Sequence, residues 1–348
     1  MGIKKVDSIW LDGKLVAWDD ATDHMLAHTM HYGVGAFEGI RAYQRADGRT
    51  AVFRLREHID RLFDSSAICT MDVPFTREQL VAGCAEVLRA NKMSFAYLRP
   101  LIYLGSGALG LGSFEPPVRT MIAAFEWGAY LGDDGLKKGI RCMIGGFTRA
   151  NGNAVMNKGK ICGQYVTSVL AKRMALKSGF DEALMLDPQG YVAEGTGENI
   201  FVVKNGVVRT PPTSAAILAG ITRDTAIQLL RERGVEVREE MIARDELYTA
   251  DEVFLTGTAA EITPVREIDH RKIGRGEWPI TFGVQDAFFQ IVKGSDAKHG
   301  SGRHEQRPTT RRARAQPPQR QRRDEQGLRQ PIAPQHLPGA DPQHVPVH

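Results

Sequence analysis

Two lysines, Lys158 and Lys160, lie in a run of small and polar residues (153–165) just ahead of an apolar stretch. A lysine held against an apolar wall binds its proton less tightly and becomes a nucleophile, whereas a solvated one does neither. Further on, VAEGTGEN (192–199) sets Glu194 and Glu198 among glycines between two strand-like runs. Buried, such a carboxylate can hold a protonated ring nitrogen; at the surface, the same residues make a turn. LAGITR (218–223) opens a helix whose free N–H groups form a ready phosphate site, and LTGTAA (255–260) offers hydroxyls and amides after a strand. Either also reads as ordinary helix capping. MHYGVGAFEG (30–39) is dense in glycine and aromatic residues, which suits a binding loop or a turn entering a hairpin. A lysine, a carboxylate and a phosphate cradle together are what pyridoxal 5′-phosphate requires: a covalent anchor, a partner for the pyridine nitrogen and a seat for the phosphate.

These stretches need a scaffold, and the chain alternates short strands with helices. Asp12-Gly13 between 9–11 and 14–17 is a hairpin signal. A second turn, with Asp47-Gly48, separates strands at 40–44 and 50–55. Ile59, Leu62, Phe63 and Ala67 follow helical spacing over 56–68, and Thr76 with Gln79 forms a capping box for the next helix. Residues 97–104 and 120–125 read as buried strands, and 127–138 as an inter-domain connection. A helix over 164–177 ends at Gly179, strands follow at 182–186, 191–193, 199–204 and 207–209, and helices at 221–233 and 284–292. Hairpins interleaved with helices predict two α+β units rather than a doubly wound parallel sheet.

The chain has 348 residues, 42% hydrophobic and 25% charged, values of an ordinary globular protein. No apolar run approaches the roughly 18–20 residues of a membrane span, and 1–10 has no signal-peptide core. Residues 300–348 carry nine Arg, no Lys and four acids, a net of +5, so the other 299 residues, with 36 bases and 37 acids, sum to −1. A neutral body argues against nucleic-acid binding. The same tail holds eight of the 17 prolines, eight glutamines and no aromatic residue, a composition expected to be disordered. Its diluted arginines leave a basic arm for RNA or lipid as the alternative. Four cysteines without a CxxC pair predict a reduced, cytoplasmic protein and no metal site. GSGALG (105–110) spells the dinucleotide pattern GxGxxG, but LGSFEPP follows, which cannot propagate a helix. A loop over a binding site is the expectation there.

HYGVGAFEGIRAY, AYLRPLIYLG, Lys160-x-x-Gly-x-Tyr165, EGTGENIF, GITRD and TGTAAEITPV, in that order, resemble the branched-chain amino-acid aminotransferases of fold type IV over about residues 3–298. The resemblance implies the two-domain, D-amino-acid aminotransferase-like fold. An N-terminal α+β domain would span 1–130, an inter-domain loop 131–137, a C-terminal pseudo-barrel 138–299 and the tail 300–348. It implies that Lys160, not Lys158, carries the cofactor and moves the substrate proton, with Glu194 at the pyridine nitrogen and Tyr165 at the ring oxygen. Arg61, Ile221, Thr222 and Thr258 would hold the phosphate, and Tyr97, Thr258 and Ala259 the substrate α-carboxylate. Phe37, Trp127 and Tyr130 would line the side-chain pocket, and Arg99 and Tyr32 would receive the distal carboxylate of glutamate. The implied reaction exchanges the amino group of L-leucine, L-isoleucine or L-valine with 2-oxoglutarate, in a homodimer or homohexamer. D-amino-acid aminotransferase and aminodeoxychorismate lyase share the lysine and the glutamate, and remain the alternatives. The tail has no counterpart in the family.

Overall fold

The computed structural model describes residues 3–128 and 130–295. The tail at 300–348, expected to be disordered, lies outside the described residues. Asp12 and Gly13 both take positive φ, 46° and 90°, and fold β1 (Ser8–Leu11) back onto β2 (Lys14–Ala17), as a tight hairpin turn demands. The glycine-dense stretch at 30–39 divides into a short helix α1 (His28–Tyr32) and strand β3 (Gly35–Phe37). With β4 (Ile40–Gln44), β5 (Thr50–Val52), β6 (Ala96–Leu104) and β7 (Val118–Phe125) they build a seven-stranded sheet ordered β2-β1-β7-β6-β4-β5, with β3 also on β6. Because side chains alternate faces along a strand, Leu98, Ile102, Ile122 and Ala124 pack under α2 (Leu55–Ile68) and α3 (Arg77–Ala90). Tyr97, Ala123 and Phe125 turn to the opposite face, where they meet Ala259. The capping box of α3 forms as expected, Thr76 Oγ1 accepting from Gln79 N and Gln79 Oε1 from Thr76 N.

The connecting stretch carries a helix of its own, α4 (Asp133–Lys138), bounded by Gly132 and Gly139 at positive φ. Beyond it, β8 (Ile140–Ile144) runs parallel to β9 (Glu182–Leu186) through the crossover helix α5 (Tyr165–Lys177). β10 (Val192–Gly195), β11 (Asn199–Lys204) and β12 (Val207–Thr210) follow as hairpins. α6 (Ile221–Glu232) crosses to β13 (Val237–Glu239), parallel to β12. α7 (Arg244–Tyr248), β14 (Glu252–Gly257), β15 (Glu261–Ile268), β16 (Arg271–Lys272) and α8 (Pro279–Val292) complete the described chain.

The second sheet is ordered β10-β9-β8-β15-β14-β11-β12-β13, and β10 also pairs with β11. That extra pairing, Glu194 opposite Asn199, closes six strands into a ring. Ile140, Leu184, Val192, Ile200, Val253 and Val265, one from each ring strand, share one apolar cluster. Their neighbours Phe201, Val203, Phe254 and Ile262 face outward onto α6 and α8. Each large side chain buried this way contributes about 1.5–3 kcal/mol. The GSGALG stretch forms no helix: residues 105–117 are loop and turn, as its prolines require.

Candidate active site

A cleft of about 720 Å³, open mouth included, is lined from both sheets, by Tyr97 and Arg61 on one side and by the ends of β10, β11 and β14 on the other. Lys160 enters it from the segment before α5. Its backbone is fixed on both sides: the N–H donates to Ser65 Oγ at 2.9 Å, and the carbonyl accepts from Phe37 N at 3.0 Å. The side chain then has one direction to extend. Nζ donates to the Tyr165 hydroxyl at 2.7 Å and sits 4.9 Å from the centre of the Phe37 ring. Lys158 turns elsewhere, donating to the carbonyls of Thr213, Ala215 and Ile217. Of the two lysines, Lys160 is the one that lines the cleft.

Glu194 closes the strand ring and is buried. Its Oε1 lies 3.1 Å from Arg149 Nε, and its Oε2 accepts from Asn199 Nδ2 at 3.0 Å and Leu218 N at 3.1 Å. Burial pushes its pKa up, and Arg149 opposes that only in part. Glu198, in the turn between β10 and β11, also lines the cleft. Burial, with neighbouring Glu182, pushes it up as well. Glu182 is paired with Lys172 at 2.6 Å and accepts from Thr196 Oγ1 at 2.7 Å.

Arg61 reaches the cleft from α2. Its Nε and Nη2 grip both oxygens of Glu38 at 2.6 and 2.9 Å, and Nη1 donates to Ala219 O at 2.9 Å. His58 Nδ1 stands 2.7 Å from the same carboxylate. Burial alone would raise the pKa of Glu38, but the charges of Arg61 and His58 overcome it and hold the carboxyl well below its usual range. Arg61 is thereby parked beside the start of α6, whose N-cap, Gly220, provides no side-chain bond. A Cβ there would collide with Asn199 Oδ1, so the close approach needs glycine. Ile221 and Thr222 open the helix into the cleft, and Thr258 and Ala259 line it from the β14–β15 turn. Open N–H groups and a helix dipole favour an anion at this spot. Thr256 Oγ1, on the same wall, is buried with no hydrogen-bond partner among the described residues.

Nine of the residues singled out in the sequence thus meet in one cleft: Arg61, Tyr97, Lys160, Tyr165, Glu194, Ile221, Thr222, Thr258 and Ala259. Four more stand behind them. Phe37 packs edge-on to Tyr165 at 4.8 Å, and the Arg99 guanidinium lies over Phe37 at 4.8 Å. Trp127 packs on Tyr97 at 4.6 Å and Tyr130 on Trp127 at 5.8 Å. Tyr32 is elsewhere, 44% exposed on α1 and packed against His28. Glu38 and Asn199 were inside the motifs, but nothing about their spacing revealed what they hold. Arg149, 45 residues before Glu194, carried no signal at all.

A family model, amino-transferase class IV, matches residues 35–268. A Pseudomonas aeruginosa branched-chain-amino-acid aminotransferase is 49% identical over 296 residues, covering 85% of this chain and 96% of the relative. The crystal structure of the Escherichia coli branched-chain amino acid aminotransferase superposes with a TM-score of 0.83 at 44% identity, covering 85% of this chain and 98% of that one. The Thermobaculum terrenum branched-chain amino acid aminotransferase, solved in its PLP (holo) form, superposes with a TM-score of 0.79 at 34% identity, covering 85% and 97%. The lysine-bearing cleft, the closed strand ring and these likenesses agree: the chain belongs to the class IV amino-transferases, in the branched-chain-amino-acid aminotransferase family.

Proposed function

We propose that the protein exchanges the amino group of L-leucine, L-isoleucine or L-valine with 2-oxoglutarate, using pyridoxal 5′-phosphate anchored at Lys160. One observation carries this reading: an amine, a phenol and a buried carboxylate converge in the cleft that the open start of α6 also lines. The residues suit the cofactor. Gly220 and Ile221 leave the start of α6 open to the cleft without a side-chain cap, and the Thr256 hydroxyl on the same wall is buried with no hydrogen-bond partner among the described residues. When bound, the cofactor draws electrons from the substrate's Cα–H bond and carries the amino group between partners.

Lys160 takes the Cα proton and returns it, and its neighbour Tyr165 steadies the ring oxygen. Glu194, whose burial Arg149 offsets only in part, gains by facing a protonated ring nitrogen. Arg61, Ile221, Thr222 and Thr258 hold the phosphate. Tyr97 and the amides of Thr258 and Ala259 receive the α-carboxylate. Phe37, Trp127 and Tyr130 form apolar walls. Arg99 serves the distal carboxylate of glutamate, which would cost several kcal/mol to bury unpaired; its Nε is buried without a hydrogen-bond partner among the described residues. Tyr32, exposed on α1, reaches a cleft by way of a second copy of the chain. The exposed Val166, Val169 and Leu170 of α5 and the exposed Met30 of α1 support a homodimer or a homohexamer. The domain division at 1–130 and 138–299, and a cytoplasmic site of action, belong to the same reading. Among the described residues, no helix is long and apolar enough to cross a membrane.

Formation of L-glutamate from L-leucine and 2-oxoglutarate tests the reading. Preference for a D-amino acid would move it to D-amino-acid aminotransferase, and turnover of aminodeoxychorismate to the lyase. Arg99→Ala should impair the glutamate half-reaction more than the leucine one; equal impairment would remove Arg99 from its role.

A further inference from the structure

Arg41, on β4, is buried to 3% exposure and spends its guanidinium on backbone carbonyls. Nε donates to Thr258 O at 3.0 Å, and Nη2 donates to Ala259 O at 3.0 Å and Gly128 O at 2.9 Å. Nη1 lies 3.9 Å from Glu261 Oε1, which also accepts from the Tyr43 hydroxyl at 3.0 Å. Glu261 itself takes φ of 55°, an uncommon value for a residue with a side chain. A cation is kept this deep only where its hydrogen bonds are met, and here three of them go to the 258–259 turn, which lines the cleft, and to Gly128, next to Trp127.

The direction of those bonds matters. In a planar trans peptide the carbonyl and the next residue's N–H point opposite ways. Arg41 pulls the Thr258 carbonyl toward itself, so the Ala259 N–H points away from it. Ala259 lines the cleft. We propose that Arg41 is the positioning residue for the substrate α-carboxylate, fixing the 258–260 turn so that the Ala259 amide is aimed at it. Through Gly128 it ties the segment that follows Trp127 to the same turn, so the carboxylate seat and the side-chain wall move as one. This rests on the carboxylate assignment made above for Thr258 and Ala259. Lysine cannot replace Arg41, because a point charge lacks the flat fork that spans separate carbonyls.

The test uses the holoenzyme and two probes: 4-methylpentanoate, which is leucine's skeleton without its amine, and the uncharged 4-methylpentanamide. Binding of each is measured by calorimetric titration, alongside KM and kcat for L-leucine. In Arg41→Lys, affinity for the acid falls about tenfold or more, the size of one hydrogen bond to a charged group. Affinity for the amide changes far less, and the loss with L-leucine appears in KM rather than kcat. Equal losses for acid and amide, or none for either, overturn the proposal. Tyr43→Phe removes only the hydroxyl that orders Glu261 beside Arg41; it gives a loss of the same sign, about twofold, and no loss in this variant overturns the proposal if Arg41→Lys fails to fold. A wild-type protein that does not prefer acid to amide overturns the carboxylate assignment and this proposal together. A wild-type preference that survives in Arg41→Lys overturns the positioning role alone.

Discussion

Two buried carboxylates, Glu38 behind Arg61 and Glu194 in the cleft wall, behave in opposite ways. Glu38, on the side of the first sheet, is gripped through both oxygens by Arg61 and touched by His58, and its pKa is held well below the usual range despite burial. Glu194, at the seam of the strand ring, has one arginine and two neutral N–H groups, and burial pushes its pKa up. Residue type and depth are the same; the supply of positive charge differs. The first pair is complete, so it acts as structure that parks Arg61 beside α6. In the second, Arg149 offsets the cost of burial only in part, which suits a carboxylate that faces a protonated ring.

That contrast breaks if the wrong variant loses stability. Glu38→Ala leaves Arg61 buried without its partner and should cost about 3–5 kcal/mol, read as a lower denaturant midpoint. Glu194→Gln, in which Arg149 keeps its bonds to Ala216 O and Asn157 Oδ1, should lower the midpoint less than Glu38→Ala does, while kcat falls about 10²–10³-fold, read with saturating L-leucine. If Glu194→Gln unfolds the protein and spares the rate, the roles are reversed.

Acid and base sharpen the contrast further. The depressed pKa of Glu38 means its contribution is present above the ordinary carboxylate range and is lost as pH falls through the folded value. Glu198 is raised, so its contribution is full below the ordinary carboxylate range and is lost as pH rises through the folded value. Unfolding followed across pH should show that Glu38→Gln flattens the acid limb and Glu198→Gln flattens the slope above it. The smallest effect concerns the two lysines. Lys158→Met removes bonds to three carbonyls of the 213–217 loop and should cost about 1 kcal/mol, with the cofactor still bound; a lost cofactor would mean that Lys160 is not the anchor.

Local chemistry made much of this legible in advance. Asp12-Gly13 called for a hairpin, Thr76 and Gln79 for a capped helix, Gly179 for a helix end, and each is where the sequence put it. The prolines after Gly112 correctly denied GSGALG a helix. What stayed hidden depends on contacts far apart in the chain. The ring depends on β11 pairing with β14 and on β8 pairing with β15, partners far apart in the chain that periodicity cannot bring together. Stretch 127–138 reads as a glycine-rich connection, yet it accommodates α4, since glycines at both ends take the φ that stops the helix there. Glu38 looked like one more polar residue in a glycine loop; its meaning depends on α2 delivering His58 and Arg61 to it. Lys158 and Lys160 could not be separated by spacing alone, and it is Ser65 and Phe37, from elsewhere in the chain, that turn Lys160 into the cleft.

The most direct test is a visible absorption spectrum of the purified protein with pyridoxal 5′-phosphate, before and after L-leucine is added without an oxo acid. A lysine-bound cofactor band that L-leucine converts to the pyridoxamine form, and that Lys160→Ala abolishes, is the predicted result. A band that ignores L-leucine, or one that persists in Lys160→Ala, would contradict it.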